Sequence, residues 1–381
     1  MKDTLIHAIS ANGHIRVLTC TSTQLTEQAR KQHNLWPTSA AALGRVLTIT
    51  AILGSMLKTE KEKVTVQING GGPIGTIMAD GWANGDVRGF VGDPEIYLKY
   101  NDTGKLAVGA AVGKDGYLKV IKRMNMKNDF TGQVALVSGE IGEDFAYYFT
   151  ISEQTPSAVS LGVLVDTDNS VMASGGILIQ MMPEATEDDI KLAEAAVAKL
   201  RPVSEMVKEG HDARALAAML FDDLEILEEK PIQWHCDCSK QRFKAALTTL
   251  DRSELEKMLE EDHGCEVKCE YCNNKVQFTE DDLRSILELS LIHIYNQAAS
   301  SPLIQNTLRM AAPDQVKTAI LPIGKAIALL KDPRCAELRI LVLVDCPHDA
   351  RLIVSELQDI EMINVGNYGR IGKEEVLRSR R

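Results

Sequence analysis

The sequence contains no run of about 18 apolar residues, the length that a membrane-spanning helix needs. Its start, MKDTLIHAISANGHIRV, also lacks the apolar segment of a secretory signal. Acidic residues outnumber basic ones, 53 to 42: residues 291–381 carry a net charge of +2, which leaves −13 on residues 1–290 for the total of −11. We therefore expect a cytoplasmic protein that binds neither membranes nor nucleic acid.

The N-terminal half of the chain predicts an α+β fold that is rich in antiparallel sheet. SAAALGRVLTITAILGSMLK has apolar residues at helical spacing, and Pro37 and Thr38 supply a start signal. VTVQINGGGPIGTIMADGWANGDVRGFVG alternates every second residue between glycines, which predicts hairpins, and KLAVGAAVGKDGYLKVIKRM should continue the sheet. SLGVLVDTDNSVMASGGILIQMM indicates a further hairpin that turns near 166–169. We assign 1–181 to an α+β core domain and the charged, amphipathic 182–231 to a helical connector.

The glycine cluster GGGPIG, at 70–75, has two interpretations. Gly-rich loops can cradle phosphate where they join a strand to the N-terminus of a helix. Here both flanking segments have strand character, so we expect a hairpin turn.

Five of the eight cysteines fall within 236–272, and four of them form two close pairs. Cys236-x-Cys238 and Cys269-x-x-Cys272 are separated by a segment whose pattern indicates two short helices. Such pairs can place four thiolates around Zn²⁺ at about 2.3 Å. In a reducing cytoplasm, we expect these cysteines to bind a metal ion and not to form a disulfide framework. We predict that 232–288 form a zinc module that binds one Zn²⁺ per chain.

Alternatives remain for the ligands and for the role of the metal. Cys265, His235 and His263 are rival ligands, although the C-x-x-C loop has better geometry than Cys265 and the histidines should be solvent-exposed. The zinc could be a passive structural ion or part of a redox switch. Peroxide and hypochlorous acid attack thiolates, and a C-x-C pair closes a strained, easily reduced disulfide. A module of about 50 residues with few large apolar groups should depend on its metal for folding.

Residues 1 to 288 resemble the redox-regulated heat-shock holdases, the 33 kDa chaperonin family. The resemblance is carried by ALGRVLTITAILGSMLK, GGPIGTIMADGWANGDVRGFV, SGEIGEDFAYYFTISEQTPSAVSLGVLV and above all CDC with VKCEYCNNKVQFTEDDL. It implies a non-enzyme whose zinc is held by Cys236, Cys238, Cys269 and Cys272, and which is inactive when reduced. Cys265 is not among the family's four positions.

The resemblance also implies how the protein is activated. Oxidation would pair Cys236 with Cys238 and Cys269 with Cys272, release zinc and loosen the connector and the zinc module. The exposed apolar surface would then hold unfolding client proteins without ATP, in a homodimer.

The tail resembles a second family, the IIB component of a mannose/sorbose-type sugar phosphotransferase. LIQNTLRMAAPDQVKTAILPIGKAIALL and RILVLVDCPHDARLIVSE carry that resemblance, and the pattern predicts that 296–381 are a partial α/β fragment with a parallel sheet. The resemblance begins partway into the family's domain, after the loop with its phosphorylated histidine. A phosphoryl carrier is thus the alternative function, but neither His293 nor His348 stands in the required context.

The junction, 289–295, has two interpretations of its own. Leu283, Ile286, Leu287 and Ile294 keep a helical stripe, and Thr279 can cap it with Asp282, so one helix could run through the join. LSLIHI at 289–294 also matches the translation of a transposon end used to tag DNA for sequencing. We hypothesise that the join is an assembly artefact.

Overall fold

The computed structural model describes residues 2–124, 129–287, 341–344, 360–364 and 375–379. The chain forms two compact units, of which the first comprises Met1–Lys244 and Cys265–Phe278 and the second Ala245–Gly264 and Thr279–Arg381. The strands are β1 (Thr4–Ser10), β2 (Ile15–Thr21), β3 (Lys63–Asn69), β4 (Ile77–Trp82), β5 (Asp86–Val91), β6 (Tyr117–Arg123), β7 (Phe130–Ala135), β8 (Ser157–Val165), β9 (Val171–Met181), β10 (Glu225–Pro231), β11 (Gln233–Trp234), β12 (Gly264–Lys268), β13 (Lys275–Thr279), β14 (Leu341–Val344), β15 (Ile360–Asn364) and β16 (Glu375–Ser379). The helices are α1 (Thr23–His33), α2 (Pro37–Ser55), α3 (Val108–Val112), α4 (Gly142–Ile151), α5 (Glu187–Ala198), α6 (Val203–Lys208), α7 (Ala213–Ala218), α8 (Lys240–Leu247) and α9 (Arg252–Glu260), and residues 280–287 are also helical.

The first unit contains a five-stranded and a six-stranded sheet, which confirms the mixed α+β fold. The order β10-β1-β2-β9-β8 is antiparallel throughout. The order β11-β5-β4-β3-β6-β7 is antiparallel except where β11 runs parallel to β5. The predicted hairpins are present. Alternate side chains are buried along β3, as the sequence pattern predicts, and the turn between β8 and β9 lies at Asp166–Asn169.

Helix α2 is the core of the first unit. Every residue of α2 except Arg45 is buried, and the helix packs against strands of both sheets. By length and composition it could cross a membrane, but 94% of its apolar window is buried inside the protein. It is therefore the central packing element of this unit.

Connector helices cover the other face of the five-stranded sheet. Helix α6 packs on β8 and β9, and α7 packs on β1 and β2. They bury a second apolar cluster that includes Ile6, Ile15, Val17, Ile177, Ile179, Val203, Met206, Val207, Leu216 and Phe221. The sheet is thus apolar on both faces.

Two local expectations need correction. The end of the connector was expected to be helical, but α7 stops at Ala218 and β10 pairs with β1. The edge of β1 needs partners for its N–H and C=O groups, and β10 supplies them although its acidic side chains are mostly exposed. KLAVGAAV was expected to extend the sheet, whereas Val108–Val112 form α3.

The glycine cluster joins β3 to β4, which confirms the hairpin interpretation. Its backbone lies against the end of α3, where the Gly72 amide donates to the Val112 carbonyl at 2.9 Å. A Cβ at Gly72 would stand 2.3 Å from the Ala111 oxygen, so only glycine fits there.

The second unit contains α9 and the helical residues 280–287. Thr279 and Asp282 form the predicted reciprocal cap: the Thr279 amide donates to Asp282 Oδ2 at 3.0 Å and the Asp282 amide to Thr279 Oγ1 at 3.3 Å. The junction 289–295, with His293, lies outside the described residues, as does His348.

The described strands of the tail correct the parallel sheet expected there. Their order is β14-β16-β15, and β16 pairs antiparallel with both neighbours.

Candidate metal centre

The first cysteine pair is placed by the edge of the six-stranded sheet. Strand β11 pairs with β5 through Gln233 and Trp234, and the His235 amide donates to the Val87 carbonyl at 3.0 Å. Cys236 and Cys238 therefore leave the sheet edge in a fixed direction.

The second pair lies on the turn between β12 and β13, which form a two-stranded sheet. The Cys269 amide donates to the Asn274 carbonyl at 2.9 Å, and the Asn273 amide donates to the Cys269 carbonyl at 2.8 Å. Asn273 adopts a φ of 55°, a left-handed conformation that asparagine tolerates well. The turn thus presents Cys269 and Cys272 on the same side.

The structure brings together the four predicted cysteines. Their Sγ atoms all lie within 4.8 Å of one another, with Cys236 3.8 Å from Cys269 and Cys238 3.3 Å from Cys272. Tetrahedral Zn²⁺–thiolate bonds of about 2.3 Å place sulfur atoms about 3.8 Å apart. The donor set and its dimensions therefore fit a four-coordinate metal ion.

Backbone amides donate to the sulfurs of Cys236, Cys269 and Cys272. Burial raises the pKa of Cys236, but the Cys238 amide, neighbouring thiols and Arg88 outweigh it, so the net pKa is lowered. Burial dominates at Cys269 and Cys272, where it raises the pKa of each thiol although backbone amides donate to both. A divalent ion would supply the charge that turns such buried thiols into thiolates.

Arg88, on β5, connects the core sheet to both cysteine pairs. Its Nε and Nη2 donate to Asp80 Oδ2 at 3.2 and 3.0 Å. Its Nη1 donates to Asp237 Oδ1 at 2.7 Å and lies 3.6 Å from Cys236 Sγ. The guanidinium carbon lies 4.2 Å from the ring centroid of Tyr271, which lies between Cys269 and Cys272 and directly precedes Cys272.

The C-terminal end of α1 holds the second pair as well. Gln32 Nε2 donates to the Cys272 carbonyl, and His33 Nε2 lies 2.9 Å from the Tyr271 carbonyl. Asn273 Nδ2 donates to the Gln32 carbonyl at 2.8 Å. Burial lowers the pKa of His33. The turn that carries Cys269 and Cys272 therefore docks against the core.

The rival ligands lie elsewhere. His235 and His263 are exposed, as predicted, and His263 Nδ1 pairs with Glu280 at 2.8 Å. Cys265 is half-buried on β12 and does not belong to the cluster of four sulfurs. Cys20 is fully buried in the core, where burial raises the pKa of its thiol.

Sequence reasoning missed the residues that hold the centre. Arg88, Asp80 and His33 lie far from the cysteines along the chain, and no local pattern marks them. Tyr271 was accessible in principle, because an aromatic residue inside a C-x-x-C loop must pack against something.

Comparisons with known proteins agree with this geometry. Residues 3–279 match the Hsp33 protein family. The chain is 43% identical over 285 residues to the 33 kDa chaperonin of Bacillus licheniformis and 42% identical over 288 residues to that of Staphylococcus aureus (strain Newman), covering 98% of each relative and 74% and 75% of this chain. The crystal structure of the 33 kDa chaperonin from Thermotoga maritima superposes with a TM-score of 0.70 at 33% identity, covering 76% of this chain and 99% of that one.

The tail matches a different family. Residues 285–378 match the sorbose subfamily IIB component of the PTS system. Both resemblances noted in the sequence are thereby confirmed.

Proposed function

The chain belongs to the Hsp33 family, and from that premise we propose that it is a redox-regulated, ATP-independent holdase. Its relatives carry the name 33 kDa chaperonin, so this chain is a chaperone by family. In our proposal it is a cytoplasmic stress-response protein that has no catalytic activity. It is zinc-bound and inactive when reduced, and oxidants activate it to hold unfolding proteins as a homodimer.

The observation that carries the proposal is the cluster of four sulfurs within 4.8 Å. Cys236, Cys238, Cys269 and Cys272 would hold one Zn²⁺ as thiolates, which are the form that oxidants attack. We propose that oxidation pairs Cys236 with Cys238 and Cys269 with Cys272. Each disulfide removes two anionic ligands, so the site can no longer retain the metal.

We propose that the chain comprises three functional segments: an α+β core at 1–181, a connector at 182–231 and a zinc module at 232–288. The connector helices cover one of the two apolar faces of the five-stranded sheet. Loosening them would expose Ile6, Val17 and Ile179, and such an apolar surface can bind unfolded chains. The −13 charge of residues 1–290 would keep the exposed protein soluble.

The test combines zinc release with client protection. Reduced, zinc-loaded protein is treated with peroxide or hypochlorous acid, released zinc is measured with a chromogenic chelator, and light scattering follows a thermally unfolding client enzyme. We expect about one zinc released per chain and aggregation suppressed only after oxidation. Zinc retained under oxidation, or equal protection by the reduced protein, would refute the proposal.

A further inference from the structure

The side chain of Arg88 is buried, with 9% of its surface exposed, yet it reaches beyond the core. It lies opposite Asp80 in the β4–β5 register, and the Asp80 carboxylate is also held by Lys63 Nζ at 3.0 Å and Thr65 Oγ1 at 2.6 Å. Asp80 thus has a second cation and a hydroxyl besides Arg88. The third guanidinium nitrogen, Nη1, remains free to contact the cysteine module, by which we mean the two loops 236–238 and 269–272.

Arg88 contacts both halves of that module. Nη1 reaches the first cysteine loop at Asp237 and the Cys236 sulfur. The flat face stacks on Tyr271 in the second loop, and Trp82 lies 5.1 Å from the guanidinium carbon. A planar cation with five donors can make these contacts at once, whereas an ammonium group cannot.

The sulfur that Arg88 contacts changes its charge in the proposed reaction. Two cysteine thiolates, one hydrogen peroxide and two protons give one disulfide and two waters, so the two sulfurs lose two electrons and become neutral. Before oxidation four thiolates exceed the charge of one divalent ion by two, and the guanidinium offsets part of that excess. After oxidation Arg88 keeps the carboxylates of Asp80 and Asp237 but faces a neutral sulfur.

We propose that Arg88 is a positioning residue that couples docking of the cysteine module on the core to the charge on the Cys236 sulfur. The coupling rests on the proposed redox function. It adds that Arg88 links the core to the oxidation state of the four-cysteine site. Loss of the sulfur charge weakens the hold of Arg88 on the loops that carry Cys236 and Tyr271, and the module separates from β5.

The test is a comparison of two states in two variants of the full chain. Arg88→Gln removes the cation, and Lys63→Gln is the matched control, because it removes a cation from the same carboxylate without contacting Cys236. Hydrogen exchange of the amides in 265–278 is measured by mass spectrometry in the reduced, zinc-loaded and in the peroxide-oxidised protein. Zinc loss to a chelator without oxidant is measured in parallel.

In the reduced state we expect exchange and zinc loss about tenfold faster in Arg88→Gln than in wild type, and near-wild-type values in Lys63→Gln. In the oxidised state the difference between Arg88→Gln and wild type should be smaller, because the charged sulfur is gone and only the Asp237 and Tyr271 contacts of Arg88 remain to be lost. If Arg88→Gln does not fold, Arg88→Lys replaces it. It keeps a charge beside Asp80 but lacks the fork and the stacking face, so its exchange should also exceed that of wild type by more in the reduced state than in the oxidised state.

Two different results would overturn the inference while leaving the proposed function intact. One is wild-type exchange in the reduced Arg88 variant, and the other is a difference of equal size in both redox states, which indicates a purely structural role. If peroxide releases no zinc from the wild-type protein, the proposed function fails and the coupling fails with it.

Discussion

At the scale of single residues, burial gives the same side-chain type different chemistry at different positions. Cys236 has a lowered pKa because donors surround its half-buried sulfur, whereas the Cys20 thiol is enclosed in the core and has a raised pKa. A thiolate is both the metal ligand and the oxidant's target. Reactivity should therefore concentrate at the centre and not at Cys20.

The ligand set is testable with one pair of substitutions. We expect Cys269→Ser to abolish stoichiometric zinc binding, since three thiolates hold Zn²⁺ far less tightly than four, and Cys265→Ser to retain about one zinc per chain. Metal content by plasma emission spectroscopy after gel filtration decides this. Loss of zinc in Cys265→Ser would show that Cys265 is a ligand and would contradict the proposed ligand set.

A second residue-scale prediction concerns Asp3, a buried carboxyl that accepts the Leu25 amide at 2.7 Å. Burial raises the pKa of Asp3 to about 6 despite the amides at the start of α1. The folded state therefore binds the proton more tightly than the unfolded state does. The stability that Asp3 contributes is complete below its ordinary pKa of 3.8 and is lost as pH rises through 6.

Asp3→Asn keeps an acceptor oxygen but cannot ionise. The free energy of unfolding of the variant, relative to wild type, should rise between pH 4 and pH 7 by on the order of 3 kcal/mol. Urea titrations at several pH values measure it. A difference that is constant with pH would contradict the raised pKa.

At the scale of elements, regular periodicity made most of the core predictable. Helix α2 and the β3–β4 and β8–β9 hairpins follow from apolar spacing and turn residues. Strand β10 did not, because its sequence EILEEKP is mostly exposed and is held by backbone bonds to β1. A strand that owes its place to a partner about 220 residues away leaves no local pattern.

The β12–β13 hairpin supplies an element-scale prediction. Within it Phe278 is buried, while Val267 and Val276 are only half-buried, so the hairpin has little core of its own. Removing the metal from reduced protein with a chelator should expose 236–279 to proteolysis while α2 and the two sheets stay protected.

Limited proteolysis with mass-spectrometric mapping reads out the cleavage sites. Restoring zinc should restore protection. Cleavage spread evenly over the core would show that the metal stabilises the whole unit instead.

At the scale of the whole molecule, the chain joins two families. The match to the Hsp33 family ends at residue 279 and the match to the PTS component begins at residue 285, while the curated relatives are covered almost completely by the first three quarters of the chain. The tail is therefore dispensable in our proposal.

A chain ending after residue 288 should keep oxidant-dependent protection of clients at the full-length level, because the first three quarters of the chain cover 98% of each chaperonin relative. Light scattering and sedimentation compare the two chains. A truncated protein that stays inactive after oxidation would assign a role to the tail.

The origin of the junction is tested on DNA. If the join is an assembly artefact, amplification of the native locus will not yield one reading frame that contains the codons for LSLIHI. Recovery of that frame intact would establish the join as genuine.

The sequence by itself determined the alternating and helical periods of the core, the four cysteines and the change of family near residue 288, because spacing and local composition are properties of neighbouring residues. Only the tertiary structure decided what holds the cysteines. Arg88 meets Asp237 across 149 positions, and His33 meets Tyr271 across 238. Such contacts depend on how the sheets and α1 are arranged in space, and no local pattern encodes them.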